Sequence, residues 1–251
     1  MKNFTEESMI DRVKRTGVLR VAVAFTRPPE EGMSDEYYID PKTGKPEGVV
    51  IDYMKLFAED LGAKPEWVSI PWNDQVDALV NGEVDVLPKH TNTPERAFRV
   101  DFTDQLISFN LLILISKENP LTLEELKQPG KAIACVKGSS NRLAIEKNFP
   151  EAKIVEIEEY LMCGDALEKG EVDAWVEAAI SKTLFKIRPK LDAVRDSEGK
   201  PIALSREFDH ITVKLGDQRS INWINNWIKF RMAQGDLYNL VHVRWPNCLI
   251  D

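Results

Sequence analysis

The sequence predicts a two-lobed α/β protein, and three observations carry that expectation. Strand-like and helix-like apolar segments alternate from residue 19 onward, the pattern of a sheet with parallel pairing. A helix end, glycine turn and strand start recur: Ala78-Leu79-Val80-Asn81-Gly82-Glu83-Val84-Asp85 is matched by Ala166-Leu167-Glu168-Lys169-Gly170-Glu171-Val172-Asp173. The chain, at 251 residues, also exceeds one average domain and is long enough to bury two cores.

Leu19 to Phe25 reads as a buried strand, broken by Pro28-Pro29. A polar loop with Tyr37-Tyr38 follows, readable as a lid or as plain surface, and ends in a turn at 40–45. Val49 to Leu61 has apolar residues at helical spacing and is closed by Gly62. A strand from Pro65 to Ile70, a helix from Asp74 to Val80 and a strand from Val84 to Leu87 come next.

Ser108 to Ile115 reads as a first crossing strand, and Thr122 with Glu125 has the spacing of a capping box. The second lobe opens with Ala132 to Val136, then Lys137-Gly138-Ser139-Ser140-Asn141 and a helix from Arg142. Ile211 to Lys214 returns to the first lobe, and a helix from Ser220 to Met232 follows. Lobe 1 is thus expected at 1–107 and 212–251, lobe 2 at 114–205, and a hinge of two crossing strands at 108–113 and 206–211.

Apolar residues are 43% and charged ones 29% of the chain, globular rather than disordered proportions. A formal net charge of −8 without a basic run argues against nucleic acid as a partner. The longest apolar run, 111–115, is far short of the roughly 20 residues a spanning helix needs. Residues 1–8 have no apolar stretch of signal-peptide type, which taken literally indicates the cytoplasm. Cys135, Cys163 and Cys248 are odd in number and lack metal-type spacing, so at most one intramolecular disulfide is expected and buried thiols are the plain reading.

The segment from Lys89 to Thr103 is the most informative chemically. It begins where a strand ends, the edge at which open α/β sheets hold ligands. Thr93 can cap a helix that starts at Pro94, which would turn free N–H groups and a positive dipole end to that edge. Arg96 adds a planar fork suited to a carboxylate. Lys89 and His90 add positive character that would suit a second acidic group.

Trp72, at a strand end, is readable as a ligand-facing aromatic or a core residue. Ser139, Ser140 and Asn141, between strand and helix, can offer hydroxyls and N–H groups to an anion. His90, His210 and His242 lack the spacing of a metal site, and no nucleophile triad, Walker loop or dinucleotide fingerprint is present. No metal, cofactor or catalytic residue is therefore expected.

Together, Pro28-Pro29, Gly48 to Asp52, Gly82-x-x-Asp85, Thr93-Pro94-Glu95-Arg96 with Val100-Asp101-Phe102, Gly170-x-x-Asp173 and a terminal helix ending near Trp245 resemble the bacterial extracellular solute-binding proteins of the polar amino-acid type, family 3. The resemblance covers nearly the whole chain and implies a periplasmic-binding-protein-like (type II) fold. It also implies a periplasmic or extracytoplasmic receptor that captures a small carboxylate or amino-acid-like ligand between its lobes for a membrane permease of an ABC transporter. A monomer is expected. In that family the arginine matched by Arg96 grips the ligand carboxylate with the hydroxyl matched by Thr91, an aromatic often stands at Trp72, and the loop at Ser139 to Asn141 touches ligand.

Two departures stand out. Where amino-acid receptors carry an Asp for the ligand ammonium, this chain has Ala178; the adjacent Glu177 should face the opposite side unless the strand is shifted. The step from Asp85 to Arg96 is also one residue shorter than is usual in the family. The pocket is therefore expected to favour carboxylates without an α-amino group, or diacids. The rival reading is enzymatic, because cyclohexadienyl (prephenate or arogenate) dehydratases resemble the same fold. Their catalytic Glu falls on Ser181 here, leaving Glu177 or His90 as substitutes. A sensory ligand-binding domain is a further variant.

Overall fold

The computed structural model describes residues 7–25, 35–178 and 182–244, so Pro28, Pro29, Ser181, Trp245 and Cys248 lie outside the described residues. The described chain divides into two compact units, 7–25 with 46–107 and 208–244, and 35–45 with 108–178 and 182–207. This division differs from the sequence-based one at 35–45, where Tyr37 and Tyr38 are buried and Glu36 acts electrostatically on Tyr160 of the second unit.

In the first unit, α1 (Met9–Thr16) starts at Ser8, whose hydroxyl accepts the Asp11 N–H at 3.2 Å. Strand β1 (Val18–Val23) follows. After β2 (Tyr38–Ile39, in the second unit) and β3 (Pro46–Glu47), α2 (Val49–Asp60) buries Val50, Ile51, Met54 and Phe57. Strand β4 (Lys64–Ser69) pairs in parallel with β1. A 3-10 turn, Trp72–Asp74, leads into α3 (Gln75–Val80).

Strand β5 is Leu87–His90, three residues later than its sequence-based start at Val84. The reason is Asp85. Its buried carboxylate accepts the Arg20 backbone N–H at 2.7 Å and the Arg20 guanidinium at 2.8 Å, and also pairs with Arg12. The contact with β1 is an isolated parallel bridge, Val86 to Val21, beside the Asp85 N–H that donates to the Arg20 carbonyl at 2.9 Å. The short helix α4 (Pro94–Ala97) precedes the long strand β6 (Val100–Ser116).

In the second unit, α5 (Leu123–Leu126) has the expected capping box of Thr122 and Glu125. Strand β7 (Ala132–Val136), helix α6 (Asn141–Asn148), strand β8 (Lys153–Ile157), helix α7 (Tyr160–Glu168) and strand β9 (Ala174–Glu177) follow. Strand β7 pairs in parallel with both β8 and β9. Helix α8 (Lys182–Ile187) and β10 (Leu191–Ala193) complete the unit, with β9 and β10 antiparallel to β6. The core here joins Leu111, Ile113, Ile133, Cys135, Ile145, Phe149 and Val176.

Strand β11 (Ala203–Lys214), like β6, contributes residues to both units. Its first-unit part pairs with β5 in antiparallel fashion, His210 opposite His90. The expected parallel pairing is thus confined to strands linked by helical crossovers. Helices α9 (Gln218–Ala233) and α10 (Asp236–Asn239) close the first unit, with Phe57 edge-on to Trp223 and Trp227.

The recurring Gly-x-x-Asp unit has one structural meaning in both places. Gly82 and Gly170 take φ values of 76° and 71°, left-handed conformations that cost a residue with a Cβ more than glycine. Asp173 then accepts the Ala132 N–H at 2.9 Å, fastening β7 as Asp85 fastens β1.

Candidate functional site

In the first unit, the end of β5 and the turn after β4 bring together five of the residues singled out from sequence. Thr93 caps α4 by accepting the Arg96 N–H at 3.3 Å, with Pro94 at the first helical position. Arg96 Nη1 donates to the Thr91 carbonyl at 2.9 Å, and its guanidinium carbon lies 5.9 Å from the Trp72 ring centroid. The fork is therefore held by a hydrogen bond and a cation–π contact before any ligand arrives. Helix α4 spans only four residues, so it lacks the aligned peptide dipoles that the expected helix-end contribution requires. Within this cluster the planar guanidinium of Arg96 has the chemistry to pair with an anion.

Trp72 is half-buried and stacks on His90, with ring centroids 4.2 Å apart and planes 8° apart. Both Lys89 and His90 are buried, at 7% and 1% exposure. His90 Nε2 meets Gln75 Oε1 at 3.0 Å, and the Gln75 amide nitrogen donates to the Ile70 carbonyl at 3.2 Å. That second bond fixes the amide with its oxygen toward the imidazole, so His90 carries its proton on Nε2. Burial, reinforced by the charges of Arg96 and Lys89, holds the His90 pKa well below its usual 6.5. His90 is neutral at pH 7 and does not supply the positive character expected of it.

In the second unit, the loop between β7 and α6 lies at the carboxyl ends of β7 and β9. Ser139 donates to the Val136 carbonyl at 2.6 Å, and the buried Asn141 side chain donates to the Val176 carbonyl at 3.1 Å. These two side chains hold the loop in place. Ser140 instead donates its hydroxyl to Glu207 Oε2 at 2.8 Å.

Glu177 is buried, and its Oε1 accepts the Ala178 N–H at 2.8 Å. After burial, the Glu177 charge is the next contributor that pushes the Tyr160 phenol well above its ordinary range. Ala178 packs against the apolar core that holds Ala174 and Val176. Glu177 at the end of β9 and Ala178 just beyond it therefore face opposite sides, continuing the alternation of Ala174 and Val176.

Gln75 and Glu207 were not singled out from sequence. Gln75 carried a signal, since it opens the helix directly after the strand-end Trp72. Glu207 had none beyond its place near a crossing. Among the described residues, no group of three or more His, Cys, Asp or Glu could hold a metal ion. No helix among them is long and apolar enough to cross a membrane.

Compared with known proteins, residues 19–245 match the family model for bacterial extracellular solute-binding proteins, family 3. The chain belongs to this family. Among family 3 relatives, the ABC transporter glutamine-binding protein of Bacillus subtilis is 30% identical over 211 residues, covering 82% of this chain and 75% of that protein. The cyclohexadienyl dehydratase of Pseudomonas aeruginosa is 24% identical over 250 residues, covering 96% of this chain and 89% of that enzyme. The crystal structure of an ancestral amino acid-binding protein, a precursor of cyclohexadienyl dehydratase, matches with a TM-score of 0.80 at 26% identity, over 95% of this chain and 99% of that one. The family 3 resemblance read from Thr93-Pro94-Glu95-Arg96 and its neighbours, and the type II α/β fold it implied, are both borne out.

Proposed function

We propose that this family 3 protein captures an amino acid or closely related small carboxylate outside the cytoplasm and presents it to the permease of an ABC transporter. The observation that carries the reading is Arg96, braced by the Thr91 carbonyl and the Trp72 ring so that its fork is ordered in advance. Thr91, Lys89, His90 and Trp72 complete the first cluster; Ser139, Ser140, Asn141 and Glu177 supply or support the second. The relative named for glutamine binding supports an amino-acid ligand. Closure of the two lobes over the ligand by a hinge, and action as a monomer without nucleic acid, belong to the same proposal.

The dehydratase relative raises the enzymatic reading. Loss of water and carbon dioxide from prephenate needs a placed general acid. His90 is a neutral imidazole with its proton committed to Gln75, and Glu177 is engaged beside Tyr160. Neither is disposed for that role, which favours capture over turnover.

Thermal-shift screening against L-amino acids, dicarboxylates and aromatic keto acids tests the reading. A true ligand at 100 times its dissociation constant should stabilise the protein by about 2.7 kcal/mol. Stabilisation by no member of the panel would overturn capture of this ligand class, and formation of phenylpyruvate from prephenate would overturn the receptor assignment.

A further inference from the structure

Two imidazoles of the first unit stand on neighbouring strands as direct partners, His90 on β5 and His210 on β11. Leu87 packs with Ala78 and Leu79 of α3, and His90 meets Gln75 of the same helix. His210 is edge-on to Phe102, which packs on that apolar cluster, at 5.9 Å between centroids. Both rings therefore lie on the sheet face that α3 covers. The spacing of the histidines along the chain carried no metal signature, because strand pairing is what brings these two together.

A carbonyl oxygen fixes the proton on each ring. Nδ1 of His210 donates to the Thr103 backbone carbonyl at 2.7 Å, and Nε2 of His90 donates to the Gln75 amide oxygen at 3.0 Å. These tautomers leave one lone pair on His210 Nε2 and one on His90 Nδ1. Both nitrogens are buried and find no hydrogen-bond partner among the described residues. The same holds for the Thr212 hydroxyl, two residues along β11 on a fully buried side chain. A buried polar atom without a partner is costly, and three in one stretch of paired strands point to a common ligand.

We propose that His90 Nδ1 and His210 Nε2 together hold a soft monovalent metal ion, copper(I), between β5 and β11, with the Thr212 hydroxyl as a weak third donor. Imidazole ligates metals in its neutral form, and a metal-bound histidine characteristically donates its other N–H to a carbonyl or carboxylate. Gln75 and Thr103 supply those acceptors. Two nitrogens share an ion when they stand roughly 4 Å apart, a separation within reach of rings carried by directly opposed residues.

The donor set selects the ion. Zinc requires at least three protein ligands, and no group of three or more His, Cys, Asp or Glu suits a metal among the described residues. Copper(I) is satisfied by two nitrogen donors, and imidazole is among the usual ligands of copper. A single charge also suits the surroundings better than a double one, since Lys89 and Arg96 both act on His90. Burial and these two charges keep a second proton off His90, so its lone pair is available at pH 7. The site is independent of the receptor reading and would stabilise the first unit by linking its strands.

The test uses the full chain carrying Cys248→Ser, because thiolates compete for copper(I) while Cys135 and Cys163 are buried. Copper(I), kept reduced by ascorbate without oxygen, is titrated in competition with a chromogenic copper(I) chelator. One equivalent should bind per chain and raise the melting temperature, whereas zinc(II) should leave it unchanged. X-ray absorption should show nitrogen and no sulfur around the copper. His90→Gln and His210→Gln should each weaken copper(I) by about 100-fold or more, and Gln75→Leu by about 10- to 100-fold.

Melting curves taken without metal separate loss of a ligand from loss of the fold, and the absorption spectrum of the parent decides the matter should a variant not fold. Copper(I) bound equally by the parent and by both folded histidine variants would overturn the proposal. So would sulfur in the copper shell, stabilisation by zinc(II) and not by copper(I), or a parent that takes no copper(I) from the chelator.

Discussion

The imidazole of His90 lies flat against the indole of Trp72, 4.2 Å between centroids, while Gln75 holds the imidazole from the α3 side. Trp72 therefore has a rigid backing, and Arg96 in turn rests near the indole. A change at Gln75 should reach the ligand through these contacts. Gln75→Leu leaves Nε2 of His90 buried without its acceptor, and is expected to destabilise the fold by about 1–3 kcal/mol. Ligand affinity should fall with it, by less than for loss of Arg96. Urea denaturation and calorimetry on one preparation check both.

The depressed pKa of His90 makes a stability prediction with a definite sign. The unfolded chain titrates near 6.5 while the folded chain holds its proton off to lower pH, so the unfolded state binds more protons in between. The contribution from His90 is complete above pH 6.5 and is lost progressively as the pH falls from there toward the folded value. His90→Gln should flatten that part of the stability curve between pH 6.5 and 5. An unchanged slope would mean that His90 titrates alike in both states.

The two Gly-x-x-Asp carboxylates perform the same task with different exposure. The Asp85 side chain is 3% exposed and serves two guanidinium groups, whereas that of Asp173 is 24% exposed and pairs with Lys131. Asp85→Ala strands two partly buried cations and should cost about 3 kcal/mol or more; Asp173→Ala should cost about 1 kcal/mol. Denaturation midpoints compared at equal slope decide between this order and its reverse.

Both described cysteines are buried thiols that should be inert in the native protein. Burial, with the charges of Glu156 and Glu177, pushes Cys135 up to about 12, and burial moves Cys163 in the same direction. A Cys248→Ser variant should then release almost no colour from a disulfide reagent at pH 8 until denaturant is added. Rapid native reaction would contradict the burial of both.

Hinge closure, part of the functional proposal, predicts a smaller radius of gyration at saturating ligand in small-angle scattering. An identical profile with and without ligand would remove it from the account.

The sequence disclosed most of what local chemistry determines. Thr93-Pro94 and Thr122 with Glu125 mark helix starts because the cap partners are three residues apart, and Gly82 and Gly170 mark turns because their backbone angles favour glycine. What it hid depends on distant partners. The strand expected at Val84 begins at Leu87 because Asp85 is drawn to Arg20, 65 residues away. Gln75 joins the first-unit cluster through His90, and Glu207 meets the second-unit loop through Ser140, 67 residues before it. The neutrality of His90 was likewise illegible, since it follows from burial and from two neighbouring cations rather than from residue type.

The most direct test of the account is calorimetric titration of an identified amino-acid or carboxylate ligand into Arg96→Ala. Arg96 is proposed to hold the ligand carboxylate in a charge-assisted pair buried on binding, so the variant should lose on the order of 2–4 kcal/mol, about 30- to 1000-fold in affinity. Its fold should persist, because the Thr91 carbonyl and the Trp72 ring that the guanidinium meets lie outside the apolar core. An affinity within about threefold of the parent would place Arg96 outside the site and contradict the account.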